Sequence, residues 1–298
     1  MKIQNNRLVL EHLSLTTSDG LLLPGLHYSN PSMSSTKKLL IYVHGAGSSS
    51  ILRWPKLTNT LADKLTSASV DMLTFNNRGA GYITKFDTTK GKSVIGGMSY
   101  ENISESELDI EAALNWAKQN NYTDICLYGH STGANKLVLW ANIHKSNKNV
   151  KGLILSAGGD DVSLQLSRYN PTLLGRLEKF MKNSTPKQIV PIELFPGDHP
   201  ISVGSLKELI TQNSNYDVFP FRRPDEKNAF KLFKAVEYPL SIIYGSDDFG
   251  TIIPTEEAVK VLRSLKPCKA KIIPNADHSY NNRETDLAAA VLECVLSK

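Results

Sequence analysis

The stretch that decides the fold is residues 124–143, DICLYGHSTGANKLVLWANI. Its first part is a short apolar run that predicts a buried strand over Asp124–Tyr128, and its last part predicts a helix over Gly133–Ile143. Between them lies Gly129-His130-Ser131-Thr132-Gly133, which has the pattern G-x-S-x-G. A serine held in such a strand-to-helix turn needs small residues two positions away, and both are glycine. The pattern predicts that Ser131 stands above the strand end as a nucleophile.

Short apolar runs alternate with helical patterns on both sides of this stretch. The predicted strands are Leu39–Val43, Val70–Phe75, Asp124–Tyr128, Val150–Leu155, Leu240–Tyr244 and Ala270–Ile273. The predicted helices are Pro55–Thr66, Ser104–Gln119, Gly133–Ile143, Glu256–Leu265 and Glu284–Ser297. Continuous apolar strands are typical of parallel sheets covered by helices on both faces. The alternation therefore predicts an α/β fold with a doubly wound, mostly parallel sheet.

Two segments depart from this alternation. At the N-terminal end, Leu8–Leu15 and Leu21–Tyr28 predict a pair of strands, and Pro24 favours an edge strand or a bulge for the second. Residues 160–237 contain many prolines and only short helical patterns, which predicts a cap or lid inserted before the penultimate strand. The 298 residues are otherwise expected to form one α/β domain, 1–298, with 160–237 as an insertion within it.

A second glycine-rich loop follows the strand predicted at Leu39–Val43. It reads His44-Gly45-Ala46-Gly47, and its small residues allow the backbone to approach a bound carbonyl closely. A tetrahedral intermediate needs two preorganised N–H donors for its oxyanion, and we predict those of Ala46 and Thr132, with Gly47 as the next choice. A phosphate-binding loop is the alternative, but the segment lacks the lysine followed by serine or threonine of a P-loop.

The neighbours of these loops are predicted to line the substrate site: His44, Gly45, Gly47, Arg78 and His130. For His44 and Arg78 we weigh this prediction against a loop-bracing role. Bracing is favoured for both, since an arginine after a strand often binds backbone carbonyls and His44 precedes the nucleophile in the chain.

Serine-based hydrolysis also needs a base and an acid that orients it, which follow the nucleophile in the order serine, acid, histidine in this kind of fold. Seven histidines occur, and only His199 and His278 follow Ser131 outside a predicted helix. His278 lies in the segment that follows the last predicted strand, Ala270–Ile273, and is our predicted base. For the acid we predict Asp248, after the penultimate strand; the alternatives are Asp247 and the pair Asp160 and Asp161.

These segments together resemble the α/β-hydrolase superfamily. The resemblance rests on His44-Gly45, the Gly-His-Ser-Thr-Gly turn at 129–133, Tyr-Gly-Ser-Asp-Asp at 244–248 and Ala-Asp-His-Ser at 276–279. Residues 74–79, 96–101 and 129–136 also resemble a poorly characterised hydrolase group that includes fungal siderophore esterases. This second resemblance implies hydrolysis of an ester or amide in a polar, chelating substrate.

We therefore expect a serine hydrolase that cleaves a small-molecule carboxylic ester, or an amide, through an acyl-enzyme. Neither a metal ion nor an organic cofactor is required for this chemistry. Acyl transfer and peptide hydrolysis on the same triad remain alternatives, and so does a ligand-binding protein that has kept the fold without catalysis.

Composition excludes several other classes. The formal net charge is +5, and no basic stripe with interleaved aromatic residues occurs, so nucleic acid is not an expected partner. The three cysteines, Cys126, Cys268 and Cys294, are too few and too far apart for a disulfide framework or a zinc ribbon. No signal-peptide pattern and no apolar stretch long enough to cross a membrane is present, so we expect a cytoplasmic location.

Overall fold

The computed structural model describes residues 8–32, 37–47 and 49–297. In this part of the chain, ten strands form one sheet. They are β1 (Val9–Thr16), β2 (Leu21–Ser29), β3 (Lys38–Val43), β4 (Asp71–Phe75), β5 (Thr84–Thr88), β6 (Ser93–Gly96), β7 (Asp124–His130), β8 (Val150–Ser156), β9 (Leu240–Asp247) and β10 (Lys269–Asp277).

Nine α-helices are found in the same ranges. They are α1 (Pro55–Thr66), α2 (Ser106–Gln119), α3 (Thr132–Ile143), α4 (Asp161–Leu166), α5 (Pro171–Lys182), α6 (Val203–Ile210), α7 (Lys231–Lys234), α8 (Thr255–Leu265) and α9 (Glu284–Leu296). No described helix has the length and apolar character needed to cross a membrane.

The sheet is mostly parallel, as predicted. Its strand order is β10-β9-β8-β7-β3-β4-β2-β5-β6, with β1 paired to β2. The six strands from β10 to β4 run parallel, whereas β2 pairs antiparallel with β1, β4 and β5, and β5 with β6. The doubly wound α/β prediction is therefore confirmed, with an antiparallel part at one end.

Side chains of the central strands alternate between two apolar cores, one on each face of the sheet. In β3, Leu39, Ile41 and Val43 join the core that includes residues of α2, α3 and α8. Leu40 and Tyr42 join the core that includes residues of α1 and α9. Because both faces are covered, most residues inside these strands are apolar, which is why their sequences are nearly continuous apolar runs.

The antiparallel part was predicted less well. Strands β5 and β6 were missed because TKFDT and SVIG are short and largely exposed, with few apolar residues facing the core. The expectation that Pro24 marks an edge strand or bulge was wrong, since β2 lies between β1 and β4. Pro24 is tolerated there because pairing with β4 begins at Gly25, and the Pro24 carbonyl accepts from Asn76 N–H just beyond the end of β4.

The segment between β8 and β9 contains α4 to α7 and packs in two ways. Its first part has a small apolar cluster of its own, which includes Leu177, Phe195 and Leu206. Its later part joins the main core through Phe219 and Phe233. The first part is also fixed to the chain after β6, since Ser202 N–H donates to Ser99 O at 2.8 Å. Two of its residues, Asp161 and His199, line a cavity together with Ala46 and Thr132. The role of this segment as a cap stays a prediction.

Candidate active site

Ser131 lies in a strained turn between β7 and α3. Its backbone has φ 57° and ψ −132°, a left-handed conformation that is unfavourable for a residue with a side chain. The turn also brings three chain segments together: a Cβ on Gly129 would lie 2.4 Å from Gly133 O, and one on Gly133 would lie 2.2 Å from Val43 O. Glycine at both positions therefore allows the bend that presents the Ser131 side chain at the strand end.

The structure brings Ser131, His278 and Asp248 into one hydrogen-bonded chain. His278 Nε2 lies 2.9 Å from Ser131 Oγ, and His278 Nδ1 lies 2.7 Å from Asp248 Oδ1. The topology explains this, because β7, β8, β9 and β10 are parallel neighbours and each of the three residues directly follows one of them. The Asp248 side chain is fully buried, and its Oδ1 also accepts from Gly250 N–H at 2.8 Å.

The other aspartates considered as the acid have different surroundings. Asp247 is exposed and contacts the Ser246 hydroxyl at 3.2 Å. Asp160 caps α4, accepting from the N–H groups of Ser163 and Arg222, both at 3.0 Å. Asp161 Oδ2 contacts Thr132 Oγ1 at 3.3 Å. Among these carboxylates, the one hydrogen-bonded to His278 is Asp248.

The predicted oxyanion donors lie beside the nucleophile. A Cβ on Gly45 would lie 2.8 Å from Ser131 Cβ, which shows how closely this loop approaches the turn. Ala46 and Thr132 both line one cavity, and Thr132 begins α3, where an N–H has no partner within the helix. Gly47 N–H instead donates to Met98 Sδ at 2.9 Å. Ala46 is thus the better candidate of the two loop residues.

Two of the predicted substrate-binding residues, His44 and His130, are held inside the protein. His44 is buried, its Nδ1 lies 2.8 Å from Gly45 O, and its Nε2 accepts from Asn77 N–H at 3.1 Å. His130 Nε2 lies 2.8 Å from His278 O. Burial lowers the pKa of His44 to about 3 and that of His130 to about 4, and the nearby Lys136 and His278 add to the respective shifts. Both are therefore neutral residues that support the loops of the site.

Arg78 is also engaged by protein groups. Its guanidinium contacts three carboxylates, those of Asp109 at 2.9 Å, Glu105 at 2.8 Å and Asp19 at 3.3 Å. Only 7% of the residue is exposed. The geometry favours the bracing role over substrate binding, and we leave Arg78 out of the proposed substrate site.

Sequence reasoning missed a buried ion pair beneath the site. Lys136 Nζ, on α3, lies 2.5 Å from Glu101 Oε1 and 3.1 Å from Asn77 Oδ1, and both charged side chains are completely buried. A lysine among Ala, Leu, Val and Trp on the helix after the nucleophile was the available signal, because an apolar helix places such a residue inside.

The model of one protein family, described as serine aminopeptidase, S33, matches residues 34–286. The chain belongs to this family of α/β hydrolases. Solved structures share the fold of this S33-family hydrolase over nearly the whole chain. Est1E from Butyrivibrio proteoclasticus, with bound ferulic acid, is 17% identical with a TM-score of 0.65, covering 96% of this chain and 98% of that one.

Two further structures show the same likeness. DcsB in complex with a substrate analogue is 13% identical with a TM-score of 0.66, covering 97% of this chain and 98% of its own. The Pyrococcus furiosus esterase Pf2001 is 18% identical with a TM-score of 0.56, covering 95% and 89% respectively. Comparison with curated protein sequences gave no match. At these identities the structures establish the fold of the S33-family hydrolase, and its substrate has to be inferred from its own residues.

Proposed function

We propose that the protein hydrolyses a carboxylic ester through an acyl-enzyme formed on Ser131. The observation that carries the proposal is the chain of contacts Ser131 Oγ–His278 Nε2 at 2.9 Å and His278 Nδ1–Asp248 Oδ1 at 2.7 Å. A nucleophile, a base and an orienting acid in this geometry support acyl transfer on unrelated folds.

The reaction follows from this arrangement. His278 Nε2 takes the proton of Ser131 Oγ as the oxygen attacks the ester carbonyl, and the N–H groups of Ala46 and Thr132 bind the resulting oxyanion. The intermediate collapses when His278 gives this proton to the leaving alcohol. A water molecule, deprotonated by the same nitrogen, then releases the acid and restores Ser131.

The surroundings of His278 support the positive charge that it carries during the reaction. Buried Asp248 accepts from Nδ1, which fixes the tautomer with a free Nε2 in the resting state. The ring of Phe249 lies 4.6 Å from that of His278, and the ring of His130 lies 5.3 Å away on a residue whose pKa is lowered to about 4. His130 therefore stays neutral and does not oppose the imidazolium.

The test is turnover of p-nitrophenyl acetate by the wild type and by Ser131→Ala. Removal of a triad serine costs up to ~10⁶ in turnover. Ser264→Ala, at an exposed serine of α8, is the matched control and should keep the wild-type rate. A fluorophosphonate probe should label the wild type and Ser264→Ala but not Ser131→Ala. An unchanged rate in Ser131→Ala would reject the proposal.

Amide hydrolysis is a second candidate, because the matching family is described as a serine aminopeptidase. The same residues would perform it, with His278 protonating a leaving amine. Aminoacyl p-nitroanilides assayed beside the matching p-nitrophenyl esters separate the two, and we expect the esters to be turned over faster. The resemblance to fungal siderophore esterases stays a prediction.

A further inference from the structure

A small cavity adjoins the proposed oxyanion-binding residues. Its volume is about 130 Å³, and its wall includes Ala46 and Thr132 beside Asp161 and His199. Asp161 comes from the start of α4 and His199 from the loop before α6, so the segment between β8 and β9 supplies the far side of this cavity. The share of one water molecule in the liquid is about 30 Å³, so the space holds about four heavy atoms.

His199 is held firmly and has one ring nitrogen without a partner. The residue is 8% exposed; its ring stacks on Tyr82 with centroids 4.8 Å apart and meets Phe195 edge to face at 5.2 Å. His199 Nδ1 lies 3.0 Å from Asp198 Oδ1, whereas the buried Nε2 has no hydrogen-bond partner among the described residues. A buried polar atom left unpaired is costly, which points to a partner absent from the free protein.

When His199 is neutral and its Nδ1–H donates to Asp198, the partner of Nε2 is a hydrogen-bond donor. The hydrogen bond with His199 lowers the pKa of the Asp198 carboxyl, so Asp198 is a carboxylate that accepts the Nδ1 proton. In the neutral imidazole the other nitrogen, Nε2, then carries a lone pair.

Asp161 is another polar residue of the cavity wall. Its Oδ2 contacts Thr132 Oγ1 at 3.3 Å and Asn135 Nδ2 at 3.2 Å, and the residue is partly exposed. Burial raises the pKa of Asp161 to about 7, with nearby His278 opposing the shift. Near neutral pH the carboxyl therefore exists in both forms, one accepting hydrogen bonds and one able to donate.

The position of the cavity decides which part of an ester it holds. The leaving oxygen has to lie within reach of His278 Nε2, which protonates it. The cavity instead borders Ala46 and Thr132, the residues proposed to bind the carbonyl oxygen, and neither Ser131 nor His278 is among the described residues that form its wall. Because the cavity adjoins the proposed oxyanion-binding residues and does not reach His278, we assign it to the acyl side of the carbonyl.

We propose that this cavity is an acyl subsite for a short chain that carries a hydroxyl group, which donates a hydrogen bond to His199 Nε2 and has Asp161 as a second polar neighbour. The proposal rests on the ester hydrolysis proposed above. It adds the substrate class, a hydroxyacyl ester, and one specificity-determining residue, His199.

A hydroxyl fits this wall better than an ammonium group. It can donate to His199 and still pair with Asp161 in either protonation state, whereas an ammonium group needs the ionised carboxylate. Arg168 also forms part of the wall, and its positive charge disfavours a cation there. An apolar chain of the same size would leave Nε2 unpaired, and a site built around a hydrogen bond discriminates strongly against such analogues.

The test compares three ethyl esters of equal acyl size: 3-hydroxypropanoate, 3-aminopropanoate and butanoate. We expect kcat/KM of the wild type to be tenfold or more higher for the hydroxyl ester than for either of the others. Equal or faster turnover of the butanoate ester, or a preference for the ammonium ester, would overturn the proposal.

Variants at position 199 then test whether His199 causes the preference for the hydroxyl ester. His199→Phe keeps an aromatic ring beside Tyr82 but removes the acceptor, so the ratio of hydroxyl to butanoate kcat/KM should collapse toward one. His199→Gln offers a carbonyl oxygen as acceptor and should restore part of the ratio. His12→Phe, at an exposed histidine of β1, is the matched control and should leave the ratio as in the wild type. An unchanged ratio in His199→Phe would overturn the role of His199.

Failure of this inference is distinguishable from failure of the proposed function. The acetyl group of p-nitrophenyl acetate is too short to report on the subsite, so it reports ester hydrolysis alone. Ser131-dependent turnover of this ester, together with no preference for the hydroxyl ester among the three ethyl esters, would reject the acyl subsite but leave the proposed ester hydrolysis intact. If the wild type neither turned over p-nitrophenyl acetate nor reacted with the fluorophosphonate probe, both proposals would be rejected. If His199→Phe does not fold, the comparison of the three esters with the wild type still decides whether the cavity prefers a hydroxyacyl group.

Discussion

Asp247 and Asp248 are adjacent in sequence but have different surroundings. Asp247 is the last residue of β9 and is exposed, whereas the Asp248 side chain is fully buried against His278. Since strand residues alternate in direction and the chain turns after 247, only the second carboxylate is directed toward the end of β10.

We predict that Asp248→Asn lowers kcat for an ester substrate by ~10⁴, because an amide no longer fixes the tautomer of His278 or stabilises its cation. Asp247→Asn is the matched control and should change kcat less than twofold. Steady-state assays with p-nitrophenyl acetate measure both. A large loss in Asp247→Asn and none in Asp248→Asn would reverse the assignment of the acid.

The buried ion pair joins elements that are far apart in sequence. Lys136 belongs to α3, Glu101 to the chain before α2, and Tyr216, whose hydroxyl lies 3.4 Å from Glu101 Oε2, to the segment after α6. A Cβ on Gly79 would lie 2.1 Å from Glu101 Oε1, so the loop after β4 also packs on this pair. The pair thus fixes the loops around the site to the helix that follows the nucleophile.

Lys136→Met should lower the free energy of unfolding by about 3–5 kcal/mol, because Glu101 would be left as an unpaired buried charge. Lys145→Met is the matched control: its ion pair with Glu237 is exposed on both sides, and its loss should cost less than about 1 kcal/mol. Urea titration measures both. Adding Glu101→Gln to Lys136→Met should recover part of the loss, and equal effects of the two lysine variants would contradict this prediction.

Replacing glycine with alanine should have opposite effects on stability in the turn at Ser131 and in an ordinary helix. Gly133→Ala should destabilise the protein and reduce ester turnover, since its Cβ would lie 2.2 Å from Val43 O. Gly175→Ala is the matched control: it lies within α5 with open space around a new Cβ, and should stabilise the protein by about 0.5–1 kcal/mol. Thermal melting and p-nitrophenyl acetate turnover measure both, and a stable, fully active Gly133→Ala would contradict the close packing.

At the scale of the whole molecule, two titratable groups with shifted pKa values, His130 and Asp161, couple stability to pH with opposite signs. The pKa of His130 is about 4 in the folded protein and about 6.5 when unfolded, so the unfolded chain binds more protons as the pH falls from 6.5 to 4. His130 therefore lowers the free energy of unfolding as the pH falls through this range. Asp161, raised to about 7, adds stability as the pH falls from 7 toward 3.8.

We predict that His130→Gln loses less stability on acidification than the wild type does. The difference in the free energy of unfolding between this variant and the wild type should change by up to about 3 kcal/mol between pH 6.5 and pH 4, because each unit of pKa shift corresponds to about 1.36 kcal/mol. Asp161→Asn should show the opposite sign over pH 7 to 4. Urea unfolding at several pH values measures both, and parallel pH profiles for the two variants would contradict the assigned pKa directions.

Much of this architecture is predictable because parallel strands buried on both faces leave a simple pattern. Each residue of the Ser131–His278–Asp248 chain lies three to five residues after the end of a predicted strand, so its location could be expected, and its catalytic role stays a prediction. The pairing of Lys136 with Glu101, the cavity position of Asp161 and the unpaired nitrogen of His199 could not be expected. Their surroundings depend on packing between segments that are distant in sequence. Local sequence patterns do not predict such packing.

The separation of 147 residues between Ser131 and His278 has a consequence for biosynthesis. The turn at Ser131 and the glycine loop leave the ribosome first, whereas β9 and β10, which precede Asp248 and His278, are made later. A nascent polypeptide halted before residue 278 would display the hydroxyl without the group that activates it. If the proposed function holds, acyl transfer cannot begin until residue 278 has been synthesised and β10 has joined the sheet edge.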